Sequence, residues 1–277
     1  MTNIRELQRE YGFLFKGSLG QNFFNNDNLL NEILDELCIT QDDVIIEIGP
    51  GFGALTEKLI LRAKKVISVE IDNRLIPILN ERFDKYDNFE LIHYDFMKID
   101  LKNFEKLNSN FKVIANIPYY ITTPILEKLF KSDLNIDFIG VMMQKEVGDR
   151  ILADVSTKEY GSLTVFANYF SSPHVVRYIS SNNFTPKPKV DSIFIKFEIQ
   201  PKRKLKTKEM EEYFLKFVKR CFAMRRKTFY NVLANFGKDK ALLSKISDDI
   251  GIDFNKRAEN LTLNEFIKIF KILNGVN

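Results

Sequence analysis

The chain has 277 residues, enough for one large domain or for a core domain with a small appendix. Its hydrophobic content of 45% suits a globular protein with a sizeable core, and no apolar run approaches the roughly 18 residues of a membrane span. The net charge of +4 hides an asymmetry: residues 201–277 carry 18 Lys and Arg against 9 Asp and Glu (+9), while residues 1–200 carry 23 against 28 (−5). A basic tail on a mildly acidic body points to a polyanionic partner, with solvated helix faces as the plainer account.

The amino terminus carries Arg5, Glu6, Arg9 and Glu10 with no apolar h-region, so no secretory signal is visible and a cytoplasmic protein is expected. Cys38 and Cys221 lack metal-type spacing and read as small buried hydrophobes. His93 and His174 are the only histidines and have no metal-like partner in sequence, so neither a metal site nor histidine chemistry is expected.

A polar, Gly-punctuated stretch leads to Gly20-Gln21-Asn22-Phe23-Phe24, and Leu29, Leu30, Ile33, Leu34 and Leu37 then recur at helical spacing. From Val44 strand-like and helix-like segments alternate, with strands expected at 43–48, 65–70, 89–93, 111–115, 137–143, 173–180 and 192–198. One helix is expected to open at Thr123-Pro124. The alternation predicts an α/β fold, a doubly wound and mostly parallel Rossmann-like sheet. Its last two strands have no long helix between them and predict an antiparallel edge pair. After Glu198 the strand pattern stops. A basic linker containing Lys202, Arg203 and Lys204 is followed by helices to the end, the last opened by a capping box at Thr262-Leu263-Asn264-Glu265. The expected domains are therefore 1–200 and an all-helical 201–277.

Within the sheet, Val44-Ile45-Ile46-Glu47-Ile48 runs into Gly49-Pro50-Gly51-Phe52-Gly53, where glycines let a ligand approach the backbone closely. Glu70 ends the next strand and is placed to accept ribose hydroxyls. A nicotinamide dinucleotide fits a degenerate match at Gly49, Gly51 and Ala54. S-adenosylmethionine fits the observed glycine spacing and the acidic Glu47, a sensible neighbour for a cationic amino acid moiety. Asp95, placed to accept from an adenine amino group, favours the second. So does Asn116-Ile117-Pro118-Tyr119, which follows the apolar run Val113-Ile114-Ala115. Asn offers an amide oxygen, Pro fixes a carbonyl's direction and Tyr supplies a stacking face, a set that suits gripping an amino group on a flat heterocycle.

These segments, with Phe184-Thr185-Pro186-Lys187-Pro188-Lys189-Val190-Asp191-Ser192, Arg225-Arg226-Lys227-Thr228 and Arg257-Ala258-Glu259-Asn260-Leu261, resemble the ribosomal RNA adenine dimethyltransferases in motif order over nearly the whole chain. The resemblance implies S-adenosylmethionine as cofactor, held by Asn22, the backbone at Phe24, Gly49, Glu70, Asp95 and Asn116, with Gly51 in the same turn. It implies dimethylation of N6 on two adjacent adenosines near the 3′ end of small-subunit rRNA, in the 30S subunit or its precursor, with a role in small-subunit biogenesis. Asn116, Pro118, Tyr119 and Phe184 are the candidate catalytic residues, the two rings sandwiching an extruded base. Tyr120 is expected to pack the other way. Lys202, Arg203, Lys204, Arg225, Arg226 and Lys227 are the candidate RNA contacts, with Lys219 and Arg220 nearby. Nothing demands a dimer, and a monomer is expected. Competing readings are a resistance-type methylase of large-subunit rRNA, a non-catalytic assembly factor and, less favoured for want of a target-recognition insert, a DNA adenine methylase.

Overall fold

A computed structural model describes residues 4–14, 22–107, 109–200 and 204–275, so Gly20, Gln21, Lys202 and Arg203 lie outside the described residues, as does the side chain of Tyr119. By contacts the chain forms two compact units, residues 1–148 with 174–199 and residues 149–173 with 200–277.

The first unit begins with α1 (Ile4–Glu10), β1 (Phe23–Phe24) and α2 (Asp27–Glu36). There follow β2 (Val44–Ile48), α3 (Ala54–Ile60), β3 (Lys65–Glu70), α4 (Ile76–Phe83), β4 (Phe89–His93) and α5 (Lys102–Glu105). Then come β5 (Phe111–Asn116), a 3₁₀ turn at Tyr119–Ile121, α6 (Thr122–Phe130), β6 (Ile136–Gln144) and α7 (Lys145–Ile151), which leads out of the unit. After α8 (Ser162–Phe170) the chain returns as β7 (Ser171–Ile179), β8 (Phe184–Thr185) and β9 (Ser192–Ile199).

Seven strands form one sheet in the order β4-β3-β2-β5-β6-β9-β7. β4 to β6 pair in parallel, and β9 runs antiparallel to β6. All five residues of β2 are buried, as a central parallel strand covered on both faces requires. Chain order reverses between β2 and β5, the switch point at which such sheets open a crevice at their carboxyl ends. Register makes that crevice level. Ile48 pairs with Val69 on one side and Ala115 on the other, so Gly49, Glu70 and Asn116 emerge side by side.

Two local expectations change. α6 starts at Thr122 with Pro124 inside its first turn, because the 3₁₀ turn feeds directly into it and no side-chain cap is used. Cys38 is exposed at a left-handed position (φ 52°) beyond α2, and only Cys221 is buried.

The second unit holds α8, α9 (Lys208–Ala223), α10 (Phe229–Ala234), α11 (Lys240–Ile250) and α12 (Leu263–Leu273). Its core is aromatic, with Phe214, Phe229, Phe254 and Phe266 at 2% exposure or less. The sequence places one boundary near 200, whereas the contacts also assign 149–173 to the helical unit. Tyr160, Val165 and Tyr169 enter its core, and the Tyr160 hydroxyl donates to the Leu261 carbonyl at 2.8 Å. An amphipathic helix looks the same in sequence whichever core receives it. Among the described residues, no helix is long and apolar enough to cross a membrane, and no cluster of His, Cys, Asp or Glu could hold a metal.

Candidate active site

The crevice above β2, β3 and β5 is a pocket lined by the glycine turn, Phe23, Phe24, Glu70, Asp72, Asp95, Asn116 and Pro118, over an apolar floor that includes Leu55, Val69, Leu75 and Ile117. Asn22 and Gly51 also line it. Seven predicted cofactor residues (Asn22, Phe24, Gly49, Gly51, Glu70, Asp95 and Asn116) thus meet in one place.

The turn after β2 takes its shape from left-handed glycines, with φ of +71° at Gly49, +61° at Gly51 and +83° at Gly53. Glu70 holds this turn from β3: one carboxylate oxygen accepts from Gly51 N (3.2 Å), the other from Ile71 N and Asp72 N (both 2.8 Å). Burial raises the Glu70 pKa above the usual carboxylate value, and these three backbone donors oppose the rise. A carboxylate has about four lone-pair sites, so the three N–H groups leave acceptor capacity on this pocket-lining residue. Asp72 is neutralised by Arg74, which forks onto it at 2.8 and 2.5 Å. Asp95 uses one oxygen for Met97 N (2.9 Å), and among the described residues its other meets only the exposed Lys98 ammonium, at 3.8 Å.

Asn116 ends β5 half-buried, its amide unbonded among the described residues, although it lines the pocket. Pro118 follows in an extended conformation (φ −54°, ψ 134°), and its carbonyl accepts from Ile121 N. Tyr120 departs from expectation. Its ring is 63% exposed and lines the mouth of the pocket, with Ile71, Tyr94 and Met97 as further exposed apolar neighbours. The 3₁₀ turn explains the change, because at three residues per turn Tyr120 faces outward while Ile121 turns toward the floor.

Phe184 is 4% exposed and packs edge-on against Phe24 (5.2 Å between centroids) in the two-stranded pairing of β1 with β8. It does not line the pocket, so in this arrangement its face is not presented to a base. Glu47 is likewise not in the pocket. Its carboxylate accepts from Ser68 Oγ (2.5 Å) and Thr56 Oγ1 (2.7 Å), joining β2 to β3 and α3. Its other oxygen is buried without a partner among the described residues, and burial pushes the pKa up to about 7. The strand-end acidic series is therefore Glu70 and Asp95, with Glu47 one layer below.

In the helical unit, Lys204 is spent on structure. Its ammonium donates to the Asn168 and Tyr169 carbonyls (3.1 and 2.7 Å) at the end of α8 and to Gln200 (2.6 Å), and burial lowers its pKa. Arg225 binds Glu259 (2.9 and 3.2 Å) and the Lys158 carbonyl, and Arg220 lies over the Phe236 ring. Arg226 and Lys227 are exposed with no side-chain partner among the described residues.

The pocket's charge selects between the two cofactors that the glycine turn admits. Its described lining carries Glu70, Asp95 and the Arg74-paired Asp72 but no Lys or Arg, an environment that offers a pyrophosphate no basic side chain and suits a sulfonium with an ammonium group. The family described as ribosomal RNA adenine dimethylase matches residues 12–275. The chain belongs to this family. It is 42% identical over 267 residues to a ribosomal RNA small subunit methyltransferase A from Clostridium acetobutylicum, covering 96% of both chains. It is 44% identical to the protein of the same description from Bacillus mycoides, covering 98% and 96%. Among solved structures, a dimethyladenosine transferase from Plasmodium falciparum superposes with a TM-score of 0.79 at 26% identity, covering 92% of this chain and 98% of that one. The 23S rRNA methyltransferase ErmE, at 24% identity and a TM-score of 0.71 over 91% of this chain and all of that one, shares the fold. As a member of the family the protein is an adenine methyltransferase that uses S-adenosylmethionine, and the acidic, glycine-framed pocket fits that group.

Proposed function

We propose that the protein transfers methyl groups to N6 of two adjacent adenosines near the 3′ end of small-subunit rRNA, as a monomer in the cytoplasm, during small-subunit biogenesis. The observation that carries this reading is the unbonded Asn116 amide at a strand end level with Glu70, in a pocket whose described lining has no basic side chain. Glu70 accepts from the cofactor's ribose, Asp95 from its adenine amino group, and the Asn22–Phe24 segment with the glycine turn holds the amino acid end.

The cofactor supplies a strongly electrophilic methyl group, so the protein need provide neither a nucleophile nor a metal. The obstacle is the target amine, whose lone pair is delocalised into its ring. Asn116 Oδ1 and a main-chain carbonyl of the same turn each accept one N6 hydrogen, which favours a pyramidal nitrogen with its lone pair toward the pocket. This is orientation and electrostatics rather than proton abstraction. The base leaves its stack to reach the turn. Tyr119, whose side chain lies outside the described residues, is the sequence's candidate for one stacking face. Tyr120 offers a ring at the mouth, and Phe184 contributes only if β1 and β8 part. Stacking is worth about 1–3 kcal/mol per base. Arg226 and Lys227 remain available as phosphate contacts, whereas Lys204 and Arg225 are engaged internally.

The two close relatives are both described as small-subunit enzymes, whereas the likeness to ErmE extends to the fold. The test is to incubate the protein with methyl-labelled cofactor and, separately, small subunits lacking the modification, large subunits and duplex DNA. Label is expected as N6,N6-dimethyladenosine at two neighbouring positions of the small-subunit RNA. Label only in large-subunit RNA or in DNA overturns the reading.

A further inference from the structure

Lys128, on the last turn of α6, takes no part in the chemistry above, yet its surroundings are unusual for a half-exposed lysine. Its ammonium donates to three main-chain carbonyls, Phe96 (2.8 Å), Met97 (2.9 Å) and Ile99 (2.6 Å), and lies 5.5 Å from the centroid of the Phe96 ring. An ammonium has three N–H donors, and all three are used. The segment it holds is the Asp95–Ile99 turn, which also closes on itself through Lys98 N and Ile99 N to the Asp95 carbonyl. That turn presents Asp95, Phe96 and Met97 to the pocket. At its other end, α6 continues directly from the Asn116–Pro118 turn through Tyr119–Ile121.

One helix therefore starts at the turn assigned to the target base and ends in a three-point grip on the turn assigned to the cofactor's adenine. We infer that Lys128 is a positioning residue that sets the Asp95 turn, and with it adenine recognition, against the Asn116 turn. The inference rests on the placement of adenine at Asp95 proposed above. Burial of Lys128 lowers its pKa, while the nearby Asp95 and Asp100 carboxylates oppose that shift. The sequence hid this role, because a lysine on an amphipathic helix reads as a solvated face.

The test compares wild type, Lys128→Met, Lys128→Arg and Asp95→Asn by calorimetric binding of S-adenosylmethionine and of its analogue with hypoxanthine in place of adenine. Amide hydrogen exchange is followed in the cofactor-free proteins. Lys128→Met is expected to bind the cofactor about tenfold more weakly, as removing hydrogen bonds from a charged donor implies. It is also expected to lose most of the preference for adenine over hypoxanthine and to exchange the Lys98 and Ile99 amides faster, and Lys128→Arg to restore part of each. Should Lys128→Met not fold, Lys128→Gln undergoes the same measurements with the same expectation. A variant that melts lower but keeps wild-type affinity and adenine preference overturns the inference, since a merely structural lysine behaves that way. Failure of the underlying adenine placement looks different: wild type itself shows no adenine preference, or Asp95→Asn retains it in full.

Discussion

At the scale of single residues, the three glycines of the turn after β2 are unequal. A Cβ on Gly49 meets only ordinary contacts, the nearest at 3.6 Å, so Gly49→Ala costs little beyond its left-handed backbone, about 1 kcal/mol. A Cβ on Gly53 falls 2.3 Å from the buried Phe83 ring and 3.3 Å from Leu79, so Gly53→Ala is expected to cost about 2–4 kcal/mol. Urea denaturation of the two variants checks the order. Asn116→Ala should leave cofactor affinity within a few-fold and lower single-turnover methylation by about 10²–10³, as removing one preorganised hydrogen-bonding group does elsewhere. Near-normal turnover would take Asn116 out of the chemistry.

Glu47 gives a pH prediction with a definite sign. Its pKa rises from 4.5 to about 7 on folding, chiefly through burial. Between those values the folded protein binds more protons than the unfolded chain, so stability falls as pH rises through the window and then levels off. The contribution is about 3 kcal/mol. Glu47→Gln, which keeps an acceptor for Ser68 and Thr56 without an ionisable group, should match wild type near pH 5 and exceed it near pH 8. Glu70 shifts in the same direction but is present in both proteins, so the difference isolates Glu47. Parallel stability curves at both pH values would contradict the buried carboxylate's role.

At the scale of elements, the capping box that opens α12 was visible in the sequence and forms as expected. Thr262 Oγ1 accepts from Glu265 N, and Glu265 accepts from Thr262 N at 2.7 Å. Thr262→Ala should destabilise the helical unit by about 1 kcal/mol, read as a shift in its denaturation midpoint. Of the strands, β2, β3, β5 and β6 were legible because buried parallel strands are continuous apolar runs, and β4, β7 and β9 because strand-like segments lie between turn signals. The pairing of β1 with β8 was not: Phe23–Phe24 and Phe184–Thr185 are two residues each, too short for any period. Asn25 and Asn26, whose side chains bond Thr185 and Asn183 at 2.8 Å, fasten that pair. This pairing is why Phe184 sits against Phe24 rather than in the pocket.

At the scale of the whole molecule, the +9 balance of residues 201–277 overstates the cations free to meet RNA. Lys204 and Arg225 are committed to carbonyls and a carboxylate, whereas Arg226 and Lys227 are not engaged among the described residues. Neutralising Arg226 and Lys227 to Gln should weaken rRNA binding and reduce the slope of log affinity against log salt by about 1–2. Lys204→Gln should lower the melting temperature and leave that slope unchanged. A slope that does not move in the Arg226/Lys227 variant would remove these residues from the RNA contacts.

The sequence by itself determined the sheet, the glycine turn, the order Glu70, Asp95, Asn116 and the family, because each depends on local pattern: apolar runs, turn residues and strand-end spacing. Only the tertiary structure decided which carboxylates line the pocket, which cations are spent, where Tyr120 and Phe184 point and which unit receives residues 149–173. Those outcomes turn on burial and on partners distant in sequence, such as Ser68 for Glu47 or the Phe96–Ile99 carbonyls for Lys128, and residue type alone does not encode them.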